Sequence, residues 1–117
     1  MGKFQALVVA SALAASGCDV AGCENEISAR APSPSGGRDA VVINRGCGAT
    51  TGFNTQLAIV DAGHVPEGAG NVLVLDGTVP LRLTWRGDRS LHVEGAGGSR
   101  VFKREASADG VSISYGR

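Results

Sequence analysis

This sequence has no net charge: eleven Lys and Arg balance eleven Asp and Glu over 117 residues. Nucleic-acid binders present a basic footprint to the phosphates, so nucleic acid is excluded as an expected partner. No run of like charges reaches five residues, and no acidic or basic tail is predicted. Aromatic residues are scarce, at one Trp, one Tyr and three Phe, which leaves little material to line a deep substrate cleft. No stretch of 18 apolar residues exists, so no helix is expected to cross a bilayer. Beyond residue 17 no window repeats with a 3.6-residue period, and no internal repeat is visible.

What the sequence does have is glycine, 18 of 117 residues, about twice the ordinary share. Many tight turns account for it. With 43% hydrophobic and 19% charged residues, wholesale disorder is excluded. The length suits one domain.

The N-terminus has a distinct character. Lys3 supplies a positive charge, and Phe4 to Ala15 follows with ten of twelve residues apolar and none charged. At about 1.5 Å per residue this run spans about 18 Å, short of the roughly 30 Å hydrocarbon core. A basic start, a short apolar run and small residues behind it describe a secretory signal peptide over residues 1–17. The competing reading is a buried N-terminal helix.

Ala15-Ser16-Gly17-Cys18 resembles a bacterial lipoprotein cleavage site, where small residues precede a Cys that is acylated and becomes the new N-terminus. Val20-Ala21-Gly22-Cys23 is the rival, with Asp19 lying between it and the apolar run. The chain has three cysteines, and an odd one in an exported protein needs explaining. Lipidation of Cys18 leaves Cys23 and Cys47 to pair in an oxidising compartment. Lipidation of Cys23 discards Cys18 and leaves Cys47 alone. The first assignment is preferred; two unpaired thiols are its competitor. A Cys23–Cys47 bond closes a 25-residue loop, for which chain entropy suggests roughly 3.5 kcal/mol.

Residues 18–26 read as a polar tether and residues 27–117 as a single β domain. Ala31 to Gly37 holds two prolines, two serines and two glycines, hence a turn. Short β-type runs then alternate with turns: 40–44, 55–60, 71–75, 81–86, 90–94, 101–105 and 111–115. In 81–86, Leu81, Leu83 and Trp85 share one face and Arg82, Thr84 and Arg86 the other. Val111, Ile113 and Tyr115 are expected to point inward on a nearby strand. The predicted fold is all-β, a small antiparallel sandwich or meander of six to eight strands.

The segment from Arg45 to Gln56 is the most unusual. It lacks Gly-Lys-Ser/Thr, so it is no P-loop, and its glycine spacing misses the dinucleotide fingerprint. It reads as a glycine-assisted connection, or more sharply as a binding edge of Thr50, Thr51, Phe53, Asn54 and Gln56. Asp61, His64 and Glu67 are metal-capable but sit in a Gly/Pro segment with one His, and a solvated loop is the preferred reading. His92 and Glu94 share one strand face. No Gly-x-Ser-x-Gly is present to hold a triad. No catalytic residue, metal or cofactor is predicted.

Cys23-Glu-Asn-Glu-Ile-Ser28, Pro32-Ser-Pro-Ser-Gly-Gly-Arg-Asp-Ala-Val-Val42, Cys47-Gly-Ala-Thr-Thr-Gly-Phe-Asn-Thr-Gln56 and Gly70-Asn-Val-Leu-Val74 resemble a family of small, uncharacterised bacterial lipoproteins. The resemblance covers most of residues 23–93, and the Cys47 block is its most specific part. The chain departs at Ser35, where Asp is more usual, and at Asn54, where Ser is common. The resemblance implies export and a Cys23–Cys47 pairing, and it adds no catalytic residue.

The expectation is a non-enzymatic, lipid-anchored envelope module facing the periplasm, with the membrane as one partner and an envelope protein as another. One alternative is an inhibitor or immunity lipoprotein acting on a cell-wall hydrolase or toxin. Another is a small hydrolase using Thr51 with a His.

Overall fold

The computed structural model describes residues 23–46 and 52–116. These residues form nine strands and no helix: β1 Glu24–Pro32, β2 Arg38–Gly46, β3 Asn54–Asp61, β4 Leu73–Asp76, β5 Arg82–Gly87, β6 Ser90–Glu94, β7 Val101–Arg104, β8 Ser107–Ala108 and β9 Val111–Tyr115. They make a five-stranded sheet in the order β1-β2-β3-β4-β7 and a four-stranded sheet in the order β5-β6-β9-β8. The protein is all-β, and every expected strand run has its counterpart.

The two sheets share one apolar cluster. Ala40, Val42, Leu57, Ile59, Leu73 and Leu75 face it from the larger sheet; Leu91, Val93, Val111 and Ile113 face it from the smaller. Leu83 and Trp85 from β5, and Leu81 just before it, pack against this cluster half-buried, while Arg82, Thr84 and Arg86 are exposed. That is the period-2 alternation read from the sequence. In β2 and β3 burial is continuous rather than alternating: Val41, Ile43 and Ala58, on the opposite face, are buried too. A sheet covered on both faces produces such unbroken apolar runs.

Three features differ from expectation. β1 begins at Glu24, inside the segment read as a tether, and extends through Pro32. It is an edge strand exposed on nearly all positions, so it carries no hydrophobic signature. Its backbone pairing with β2 builds it instead. A register shift between Ile27 and Ala29 interrupts that edge, a device that discourages pairing with foreign strands. β8 has only two residues, too few for a periodic signal. Finally, β6 and β9 run parallel, from Ser90↔Ser112 to Val93↔Tyr115. The chain leaves the smaller sheet after β6 for β7 and re-enters through β8. Side-chain alternation is blind to strand direction.

Crossings between sheets are pinned by specific groups. Thr55, fully buried, donates from Oγ1 to the Gly77 carbonyl and accepts from Val79 N–H, both at 2.7 Å. This fixes the passage from β4 to β5. On the return passage Gly95 has φ +110°, and a Cβ there would stand 2.5 Å from the Pro80 carbonyl oxygen. Only glycine fits that approach.

Candidate functional site

Residues 62–72 leave β3 and fold across the outer face of the larger sheet, where Val41, Ile43 and Ala58 are buried. Asp39 anchors the start of this segment. Its Oδ2 accepts from Arg30 Nη1 at 2.6 Å and from Gly63 N–H at 2.9 Å, and Arg30 Nη2 donates to the His64 carbonyl at 3.0 Å. The Gly63 N–H bond holds the Asp39 carboxyl below its ordinary range; burial opposes it, and the Arg30 hydrogen bond and charge add to the lowering.

The rest of the segment is tied down as closely. Asn25 Nδ2 donates to the carbonyls of Pro66 and Gly68 at 3.5 and 3.3 Å. Gln56 Oε1 accepts from Gly70 N–H at 2.6 Å. The Asn71 carboxamide accepts from Ile59 N–H and donates to the Ile59 carbonyl, replacing a missing strand residue. Pro66 and Gly70 are buried. The loop expected around Asp61, His64 and Glu67 is therefore present, and it serves as a cover. No group of three His, Cys, Asp or Glu that could hold a metal occurs among the described residues.

The expected binding edge is divided by the structure. Phe53 is 56% exposed and Asn54 half-buried at the start of β3. Gln56 is 4% exposed, and its carboxamide is spent on Gly70, so it is a structural residue and leaves the exposed edge. Thr50 and Thr51 lie outside the described residues, as do Cys18 and Cys47. Cys23 has a partner of its own.

His92 and Glu94 share the outer face of the smaller sheet, as expected. Nε2 lies 3.5 Å from Glu94 Oε2, and Nδ1 lies 2.8 Å from Ser114 Oγ. Sequence reasoning missed Ser114, because only the parallel register His92↔Ser114 brings it there. A serine, an imidazole and a carboxylate in line invite comparison with a hydrolytic triad. The Ser114 hydroxyl also donates to the Leu91 carbonyl at 3.5 Å, so it bridges the two strands. Gly116 also roofs the ring: a Cβ there would stand 2.8 Å from Nε2. The cluster ties β6 to β9. Arg82 reaches Glu94 at 3.7 Å beside a shallow groove of about 460 Å³, lined by Pro80, Leu81, Arg82, Glu94 and Gly95.

The most distinctive exposed surface lies at one end of the larger sheet. Of the five large apolar side chains exposed on the described surface, Phe53, Val101 and Phe102 are there. The Phe53 ring lies against Gly46, where a Cβ would meet it at 2.9 Å. Arg100 places its guanidinium 5.3 Å from the centre of the Phe102 ring. No protein family, curated protein or solved structure matches the chain.

Proposed function

We propose that the chain is a lipid-anchored protein of the bacterial cell envelope, and that its β domain is a non-enzymatic binding module. In this reading residues 1–17 are a signal peptide, Cys18 is acylated, and the domain faces the periplasm. The observation that carries it is positional. β1 starts at Glu24, six residues after Cys18, so an ordered domain follows the lipoprotein-type cleavage motif almost at once. The resemblance of the Cys23 and Cys47 blocks to small bacterial lipoproteins points the same way.

A Cys23–Cys47 disulfide belongs to this reading. The β1–β2 ladder ends at Glu24↔Gly46. Cys23 and Cys47 are the next residues in the sequence on either side of that last pair. Binding is favoured over chemistry because the buried polar side chains Asp39, Thr55 and Gln56 are engaged in holding the fold.

Palmitate supplied to cells making the full chain tests the proposal. Label should enter the protein and follow it into the membrane fraction. An unlabelled chain in the aqueous fraction contradicts the anchor, and turnover of a cell-wall or ester substrate by the purified full chain contradicts the non-enzymatic reading.

A further inference from the structure

We infer that the exposed end of the larger sheet bearing Phe53, Arg100, Val101 and Phe102 is a membrane-contact surface, so that the ligand of the proposed binding edge is the bilayer itself. The inference rests on the anchor at Cys18.

Register brings these residues together. Glu24 pairs with Gly46, Arg45 with Asn54, Asn54 with Asp76, and Leu75 with Val101. Asp76 N–H donates to the Arg100 carbonyl, and Gly77 N–H to the Phe53 carbonyl, both at 2.9 Å. One row thus crosses all five strands, from β1 beside Cys23 to Val101 at the start of β7, with Arg100 just before it. At about 4.8 Å per strand the row is about 19 Å long.

Cys18 lies five residues before Cys23. Fully extended, five residues reach at most about 18 Å. A lipid on Cys18 therefore keeps Cys23 and the β1 side of the row within about 18 Å of the bilayer; the β7 side, about 19 Å farther along, reaches the surface when the row lies along it. The opposite end is turned away. It carries the turn at Ser33–Gly37, where Ser35 N–H bonds Asp88 Oδ1, and the Arg38–Asp109 pair. None of the exposed large apolar side chains lies in that turn.

The side chains suit a headgroup boundary. Phe102 offers an apolar ring, and Arg100 above it offers a guanidinium to lipid phosphate; an aromatic body with a cationic head is the usual interfacial combination. Glu24 and Asp76 stand in the same row, which limits the contact to the headgroup level. Acyl chains and a weak protein surface together make a two-signal anchor, firmer than a single chain.

The test uses the full chain purified from membranes and placed in phosphatidylethanolamine–phosphatidylglycerol vesicles with brominated acyl chains. Phe102→Trp and Phe53→Trp are made separately, each keeping Trp85 as the internal reference. Trp85 bonds the Ala31 carbonyl, close to the far turn. Each added tryptophan should be quenched at least about twofold more than Trp85, as a depth of several ångströms into the headgroup boundary requires. Added tryptophans quenched no more than Trp85, in a chain that floats with the vesicles, overturn the inference and leave the anchor standing. A chain that does not float overturns both.

Discussion

Arg30 and Asp39 are joined by a 2.6 Å ion pair across two strands, and the acceptor oxygen of that pair also takes the Gly63 N–H. One carboxylate thus fastens an edge strand, an interior strand and the segment that covers the outer face. Its pKa is lowered chiefly by the Gly63 bond. A depressed carboxylate stabilises the fold above its unfolded pKa, and that contribution is lost as pH falls through the folded value. Asp39→Asn should therefore cost about 1.5–3 kcal/mol at neutral pH. The difference from wild type should close in acid, as the pH falls below the ordinary carboxylate range. Urea unfolding at both pH values checks this. An equal loss at both would assign the effect to shape and not to charge.

Gly70 is held against the β3 backbone, where a Cβ would meet the Leu57 carbonyl oxygen at 2.5 Å and the Leu57 nitrogen at 3.0 Å. Backbone cannot yield as a side chain can. Gly70→Ala should destabilise by about 1–3 kcal/mol. Gly68→Ala, two residues away with open space around it, should be near neutral. Thermal melting of the two variants makes the comparison, and equal effects would contradict the close approach.

Gln56 and Phe53 should separate stability from surface function. Gln56→Ala removes the buried acceptor of Gly70 N–H and should cost about 1–3 kcal/mol. Phe53→Ala, at an exposed position, should change stability by less than about 0.5 kcal/mol. A large loss at Phe53 would mark its ring as a structural cover for Gly46 instead of a contact surface.

Reduction gives an independent reading of the proposed Cys23–Cys47 bond. Opening a 25-residue loop should lower stability by roughly 3 kcal/mol, less any strain relieved. Denaturant unfolding with and without a thiol reductant measures it, and thiol titration of the unfolded, unreduced chain should find neither Cys23 nor Cys47 free. An unchanged midpoint with both thiols titratable would remove the bond.

How legible the molecule was depends on the element. The Leu81–Arg86 alternation identified a strand and its inward face, because a half-buried strand must alternate. The apolar run Ala40–Ile43 was readable as a strand, but what buries Val41 and Ile43 was not. That cover comes from residues 62–72, whose small and polar composition resembles any solvated loop. Its hold on the sheet is made by Asp39, Gln56 and Asn71, polar residues that local sequence assigns to surface. For that reason the sequence puts Gln56 on the binding edge, whereas the structure buries it against Gly70. β1 escaped notice because an exposed edge strand has no inward face to announce it. Ser114 joined His92 only through a parallel pairing between strands separated by an excursion to the other sheet.

Cys18 carries the proposed anchor, and intact mass spectrometry of the membrane-extracted chain tests its chemistry. The wild-type mass should correspond to residues 18–117 with acyl additions on the first residue. Cys18→Ala should carry no acyl mass and leave the membrane fraction. A Cys18→Ala chain that remains acylated and begins at Cys23 would contradict the account, because Cys47 would then lose its proposed partner.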